Sequence, residues 1–432
     1  MNFDESVKYL YGLGNEVLAM KLGLENISKL LKALGNPEKN YLKVQIAGTN
    51  GKGSTVAFLE SICVNAKINV GATTSPHLIS VTERVRINGE EISEKDFARI
   101  ATIVRETSEQ LVEKRELETV PTYFEQVTAI ALFAFAEAKV EIAILETGLG
   151  GRFDATTAAN SEIVAITPID LDHQRILGET LAEIAAEKAA IIRVDTRVFS
   201  ALQKRESEKI IYGKCWEIGV DVNWAIPDVK IIEDFGSFSF LNFKTKKTNY
   251  RAEFWMQGKH QWTNATLAIY IAESLCDFGF KISKDNIELG LETTKHKGRL
   301  EFYQNILFDG AHNVAGAKAL REYLDEVVSR PIVMIFGAMR DKNLSEIAEI
   351  LFPKADKLIL TKPDNPRSME IEELRKFVPK DFSYDNLFFT DEIAVALTIA
   401  DEISSENNLI LVSGSLYLIG EVQKILAQSS EI

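Results

Sequence analysis

Residues 47–54, Ala-Gly-Thr-Asn-Gly-Lys-Gly-Ser, restrict what this chain can fold into more than any other segment. They follow a β-branched apolar run at 43–47 and open a helical pattern at 55–66. Glycines at 48, 51 and 53 let the backbone come close to a ligand, and the N-terminus of the following helix adds positive potential. Gly48, Thr49, Asn50, Gly51, Gly53 and Ser54 therefore read as a cradle for nucleotide phosphates, with Lys52 reaching the terminal ones. The spacing departs from the regular G-x-x-x-x-G-K-[ST] pattern. Only two residues separate Gly48 from Gly51, and Gly53 stands between Lys52 and Ser54.

The surrounding chain alternates short apolar runs (43–47, 68–74, 141–146, 162–167) with long helical patterns (55–66, 93–114, 123–138, 180–192). That alternation predicts an α/β fold: a P-loop-type, mostly parallel sheet with helices on both faces. Between 222 and 254 the pattern becomes short aromatic and polar alternations, such as Phe238-Ser239-Phe240, which predict a few antiparallel strands appended to the main sheet. A helix beginning near Asn264 leads into the polar, glycine-containing stretch 294–299. A fresh β/α alternation then runs from 300 to 412. The 432 residues thus divide into a first domain, 1–297, and a second, Rossmann-like α/β domain, 298–432.

With 49 basic and 63 acidic residues the net charge is −14, so the long-range field repels nucleic acid and anionic membrane. A phosphate must therefore be held by local geometry. The three cysteines, Cys63, Cys215 and Cys276, are far apart and lack metal or disulfide spacing. The acidic start and the short apolar runs, the longest being 129–136, predict a cytoplasmic protein without a membrane segment.

Glu146 ends the apolar run 142–145 and precedes a glycine-rich loop, so its carboxylate is expected at the carboxyl end of a strand, where a hard-cation ligand belongs. His173 follows the run 167–172 in the same topological position. Further segments follow in order along the chain: 74–78 (TSPHL), 83–89 (ERVRING), 122–125 (TYFE), 145–156 (LETGLGGRFDAT), 172–174 (DHQ) and 187–189 (EKA). Behind them come 258–261 (GKHQ) with Asn264-Ala265, 298–301 (GRLE), 309–313 (DGAHN) and 414–417 (GSLY). With the loop, this ordered set resembles the folylpolyglutamate synthase/dihydrofolate synthase family of the Mur-ligase superfamily, ATP-dependent ligases that form amides. The likeness covers nearly the whole chain. It departs at Ala190, where the family has glycine, and at Lys297, where it has proline.

The resemblance implies ATP as cosubstrate and Mg²⁺ at two sites, one held by Ser75, Glu146 and His173. It implies that Lys188 carries a carbamate serving the second. It also implies that Arg299 and His312 approach the phosphates from the second domain, that Asn264 and Asp309 hold the nucleoside, and that His77 and Phe124 line a pterin pocket. Lys52, Lys188, Arg299 and His312 are the expected catalytic set. The implied substrates are small molecules: dihydropteroate or a reduced folate, L-glutamate and ATP, handled by a monomer. A peptidoglycan Mur ligase acting on another carboxylate would place a sugar-nucleotide domain before the loop, and only 47 residues precede Gly48. A P-loop NTPase switch would carry a regular loop, and a noncatalytic nucleotide-binding module would not need Glu146, His173 and Lys188 together.

Overall fold

The computed structural model describes residues 1–14, 23–405 and 407–430. Among them the strands form three sheets. The first eight strands are β1 (Leu42–Ala47), β2 (Val70–Thr73), β3 (Arg86–Ile87), β4 (Glu90–Glu91), β5 (Ile142–Glu146), β6 (Ile163–Ile166), β7 (Arg197–Ala201) and β8 (Val222–Ala225). They lie in the order β4-β3-β2-β5-β1-β6-β7-β8, parallel except for the β3 and β4 edge. From β1 the chain builds one half through β2. It returns through β5 and crosses to place β6 on the other side of β1. The carboxyl ends of β5, β1 and β6 therefore surround the point where strand order reverses, the crevice in which such sheets bind ligands.

Alternate residues of the central strands serve opposite layers. Val44, Ile46, Ile142 and Ile144 join the core under the helices Lys52–Asn65 and His260–Leu275, with Phe58, Leu59, Leu267 and Ile271. Ala143 and Leu145 face the opposite layer, with Ile130, Phe135 and Phe97 from the helices Tyr123–Glu137 and Glu94–Glu113. A strand packed on both faces must be apolar throughout. β5 is, down to Glu146 at its end.

The region 222–254 differs from the sequence expectation. β8 extends the main sheet in parallel, whereas β9 (Val229–Asp234), β10 (Ser239–Lys244) and β11 (Asn249–Phe254) form a separate antiparallel sheet. The reason is period-two burial: Leu241, Phe243, Tyr250, Ala252 and Phe254 point inward onto the same helical layer, and the intervening residues are largely exposed.

Residues 294–300, after the helix Lys284–Thr293, contain no regular element. The third sheet follows, from β12 (Glu301–Tyr303), β13 (Ile306–Asp309), β14 (Ile332–Phe336), β15 (Lys357–Leu360), β16 (Leu387–Phe389) and β17 (Leu409–Ser413), in the order β12-β13-β17-β14-β15-β16. The run 300–308, continuous in the sequence, folds as the antiparallel pair β12 and β13, turning at Gln304 with φ of 55°. Its helix Leu416–Ser430 lies against the 74–78 loop of the first part so closely that a Cβ on Gly420 would meet the Leu78 carbonyl.

Candidate functional site

The phosphate-type loop joins β1 to the helix Lys52–Asn65, whose N-cap is Gly51 at φ of 90°. The helices that start after Asn2, Ser93, Thr122 and Thr180 are closed by those side chains; this one has no side-chain cap. Its first-turn N–H groups are thus left for a ligand. The front of the loop is tied down elsewhere. Thr49 and Asn50 both donate their N–H to the Pro168 carbonyl, at 3.1 and 3.2 Å, and the Thr49 hydroxyl donates to Asp170 O at 3.0 Å. Gly48 and Gly51 are closely approached: a Cβ at either would collide with Thr167 or with Asn264 Oδ1.

Lys52 donates to the Gly48 and Thr49 carbonyls, each at 3.2 Å. Glu146 accepts the Ser75 N–H at 3.1 Å. Burial pushes the Lys52 ammonium below and the Glu146 carboxyl above its ordinary range, and each charge opposes the other's shift. Ser75, Glu146 and His173 all line the cleft over the loop, as do Lys52, Lys188, Asn264, Arg299, Asp309 and His312. The hydroxyl and the carboxylate are hard oxygen donors of the kind Mg²⁺ takes, and the imidazole is a softer nitrogen donor beside them. Among the described residues no three His, Cys, Asp or Glu side chains converge on one point, so phosphate oxygens and water would complete the shell.

Lys188 is buried on the helix Leu181–Ala189, and its amine donates to Gly48 O at 2.8 Å. Burial, aided by Lys52, lowers it to about 7, so a large share is neutral amine near neutrality, the form that reacts with CO₂. Burial also holds the His173 ring down to about 4 and the His312 ring to about 3. His312 Nδ1 donates to Gly310 O at 2.7 Å. Asp309 ends β13 and accepts from Leu300 N and Ala311 N at 3.1 and 3.0 Å, while burial raises it to about 6. Arg299 Nη1 reaches Gly310 O at 3.4 Å. Asn264 donates to Gln261 Oε1 at 2.9 Å, and Gln261 Nε2 is buried without an acceptor among the described residues.

A second cavity adjoins the cleft and shares Ser75, Gly148, His173 and His312 with it. Phe124, Phe153 and buried Asp154 come from the first part of the chain; Lys342, Arg367 and Tyr417 come from the second. Phe124 packs against Gly148, where a Cβ would be 2.6 Å from its ring. His77 is placed differently. It sits between Arg84, whose Nε donates to Nδ1 at 2.9 Å, and the Tyr11 hydroxyl, 3.1 Å from Nε2, and it does not line the cavity wall.

Several residues with no assigned role in the sequence reading prove central. Asp172 takes Lys342 Nζ at 2.7 Å and Asn313 Nδ2 at 3.1 Å, so two loops of the third sheet meet it beside the phosphate loop. Despite its burial, Lys342 and the neighbouring histidines hold Asp172 well below the carboxylate range. Asn313 also donates to Asn50 Oδ1 at 2.9 Å. The only local signal for Lys342 is its position in the loop after β14, at the carboxyl end of a parallel strand. His296, read as part of the boundary stretch, lies on Ser54, 3.0 Å from its hydroxyl.

Residues 46–272 match the Mur ligase middle domain and residues 298–416 the Mur ligase glutamate ligase domain. The chain is similar to the dihydrofolate synthase/folylpolyglutamate synthase of Bacillus subtilis, 32% identical over 96% of this chain and 97% of that protein. Among solved structures, the Mycobacterium tuberculosis folylpolyglutamate synthase complexed with ADP aligns with a TM-score of 0.90 and 27% identity, covering 98% of both chains. The E. coli FolC in complex with DHPP and ADP aligns with a TM-score of 0.86 and 26% identity, over 100% of this chain and 99% of that one.

Proposed function

The chain belongs to the Mur ligase family, in its dihydrofolate synthase/folylpolyglutamate synthase branch, and we propose that it couples L-glutamate to the carboxyl group of dihydropteroate and of reduced folates through an acyl phosphate. It is an ATP-binding ligase. The observation that carries the substrate reading is the meeting of the two cavities at Ser75, Gly148, His173 and His312. A nucleotide on the loop then presents its terminal phosphate to a carboxylate entering from the aromatic side.

In the first step a carboxylate oxygen attacks the γ-phosphorus and ADP leaves. The glutamate amine then attacks the acyl carbon, loses a proton, and expels phosphate. The uncapped helix and Lys52 stabilise the transferring charge, where fixed donors contribute most. Ser75, Glu146 and His173 would hold Mg²⁺, with carbamylated Lys188 as ligand to a second. When bound, the metal neutralises charge on the phosphoryl oxygens. Asn264 and Asp309 hold the nucleoside, and the unsatisfied Gln261 amide is a further donor for it. Arg299 and His312 bring the second domain, 298–432, onto the phosphates over the first, 1–297, and shut out water that would hydrolyse the acyl phosphate. Phe124 forms the pterin wall, while the His77 ring, bonded to Arg84 and Tyr11, ties down the 74–78 loop to which it belongs. The same reading takes the chain as a cytoplasmic monomer that acts on small molecules without nucleic acid or membrane, in keeping with its charge of −14.

Mass spectrometry after incubation with ATP, excess L-glutamate and either dihydropteroate or tetrahydrofolate tests this reading. Dihydrofolate from the first and added glutamates on the second are expected. Amide from neither donor would overturn it.

A further inference from the structure

The stretch joining the two main sheets passes directly over the phosphate loop, and His296 makes the contact. Its Nδ1 lies 3.0 Å from Ser54 Oγ. Its Cε1 and Nε2 lie 2.9 and 3.1 Å from where a Cβ on Gly53 would stand, and Glu146 Oε2 is 3.4 Å from the same point. Gly53, the next glycine after Gly51, is thus closely packed: an imidazole and a carboxylate converge on it. Ser54 and its neighbour Thr55 differ in what their hydroxyls do. Thr55 Oγ1 donates back to the Gly51 carbonyl at 2.9 Å, the usual habit of a hydroxyl residue in a helix. Ser54 is bound instead by a ring 242 residues away.

We propose that His296 is a positioning residue that turns the Ser54 hydroxyl out of its own helix and towards the metal and phosphate side of the loop, so that the interdomain stretch prepares the site for Mg²⁺-bound nucleotide. The inference rests on the reading that nucleotide sits on this loop. Both hydroxyls keep their oxygen lone pairs when they donate; the difference is direction, since the Thr55 hydroxyl is turned back on its own helix at the Gly51 carbonyl and the Ser54 hydroxyl is turned outward to the His296 ring. Because the partner belongs to the stretch entering the second domain, placing that stretch and preparing the loop become one event.

The bond uses the δ nitrogen, which makes the test selective. In His296→Asn the amide oxygen stands where Nδ1 stood, whereas His296→Gln places its amide at the ε position. ADP affinity is measured by titration calorimetry on the full chain with and without Mg²⁺, with thermal melting of each variant. His296→Ala and His296→Gln are expected to lose about five- to tenfold of the Mg²⁺-dependent gain in ADP affinity, the effect of one hydrogen bond. Mg²⁺-free affinity should be unchanged, and His296→Asn should stay within about twofold of the parent. Ser54→Ala combined with His296→Ala should bind no worse than Ser54→Ala alone. Additive losses, equal losses without Mg²⁺, or an asparagine variant as weak as alanine would overturn the role of His296. A parent protein that binds no ADP would instead overturn the nucleotide reading beneath it.

Discussion

Replacing Lys342 with methionine keeps the length of the side chain and removes its charge, at a point where the two parts of the molecule are joined. Lys342 and Asp172 are only 8% and 10% exposed, and their ion pair is 2.7 Å. Removing one partner of a buried pair costs about 3 to 5 kcal/mol, because the other charge is left without compensation. Asp172 keeps two donors, its neighbour His173 N at 2.8 Å and Asn313 Nδ2 at 3.1 Å, which places the cost near 3 kcal/mol. Asp172 and Lys342 come from different parts of the chain. Opening the cleft rehydrates the carboxylate, so the cost falls on the closed arrangement and not on the fold of either part. About 3 kcal/mol corresponds to about 150-fold in the closing equilibrium. Accordingly, kcat/KM for ligation should fall by about two orders of magnitude, with thermal melting nearly unchanged. Asp172→Asn in the same chain removes the stranded charge and should recover part of the loss. A fall of less than about threefold, or additive effects in the cycle, would refute the argument.

Lys52→Ala should lower turnover at least about 100-fold while leaving the melting temperature close to that of the parent, since the ammonium acts on transferring charge and its hydrogen bonds are to loop carbonyls; coupled ADP-release kinetics with near-parental kcat would remove the loop from the mechanism. Asp309 gives a pH signature. Its folded-state value near 6 lies above the ordinary carboxylate range, so its contribution to stability is complete below about pH 4 and is lost as pH rises through 6. About two pH units correspond to about 3 kcal/mol. Between pH 4 and 7, urea unfolding should therefore show Asp309→Asn gaining about that much relative to the parent, and a difference independent of pH would contradict the burial argument.

The elements encoded locally are legible in the sequence. The strand, loop and helix at 42–65 declare themselves within 24 residues, because glycine at a positive φ and an uncapped helix start are requirements on the backbone itself. β5 with Glu146 at its end is legible for the same reason: a strand covered on both faces must be apolar, and its first polar residue marks the crevice. The boundary stretch 294–299 stood out by composition. Its most consequential residue, His296, did not, since nothing beside it in the chain announces Ser54.

By itself, then, the sequence determined the α/β alternation, the nucleotide loop and, through its ordered motifs, the family. These rest on periodicity and backbone geometry that repeat within one or two turns. The tertiary structure alone decided that β9 to β11 form their own sheet, that the His77 ring of the 74–78 loop is held between Arg84 and Tyr11, and that Asp172 is the anchor for Lys342 and Asn313. The last two contacts span 170 and 141 residues. A charge pair of that kind acquires its strength from burial, and burial exists only once the two sheets have closed on each other.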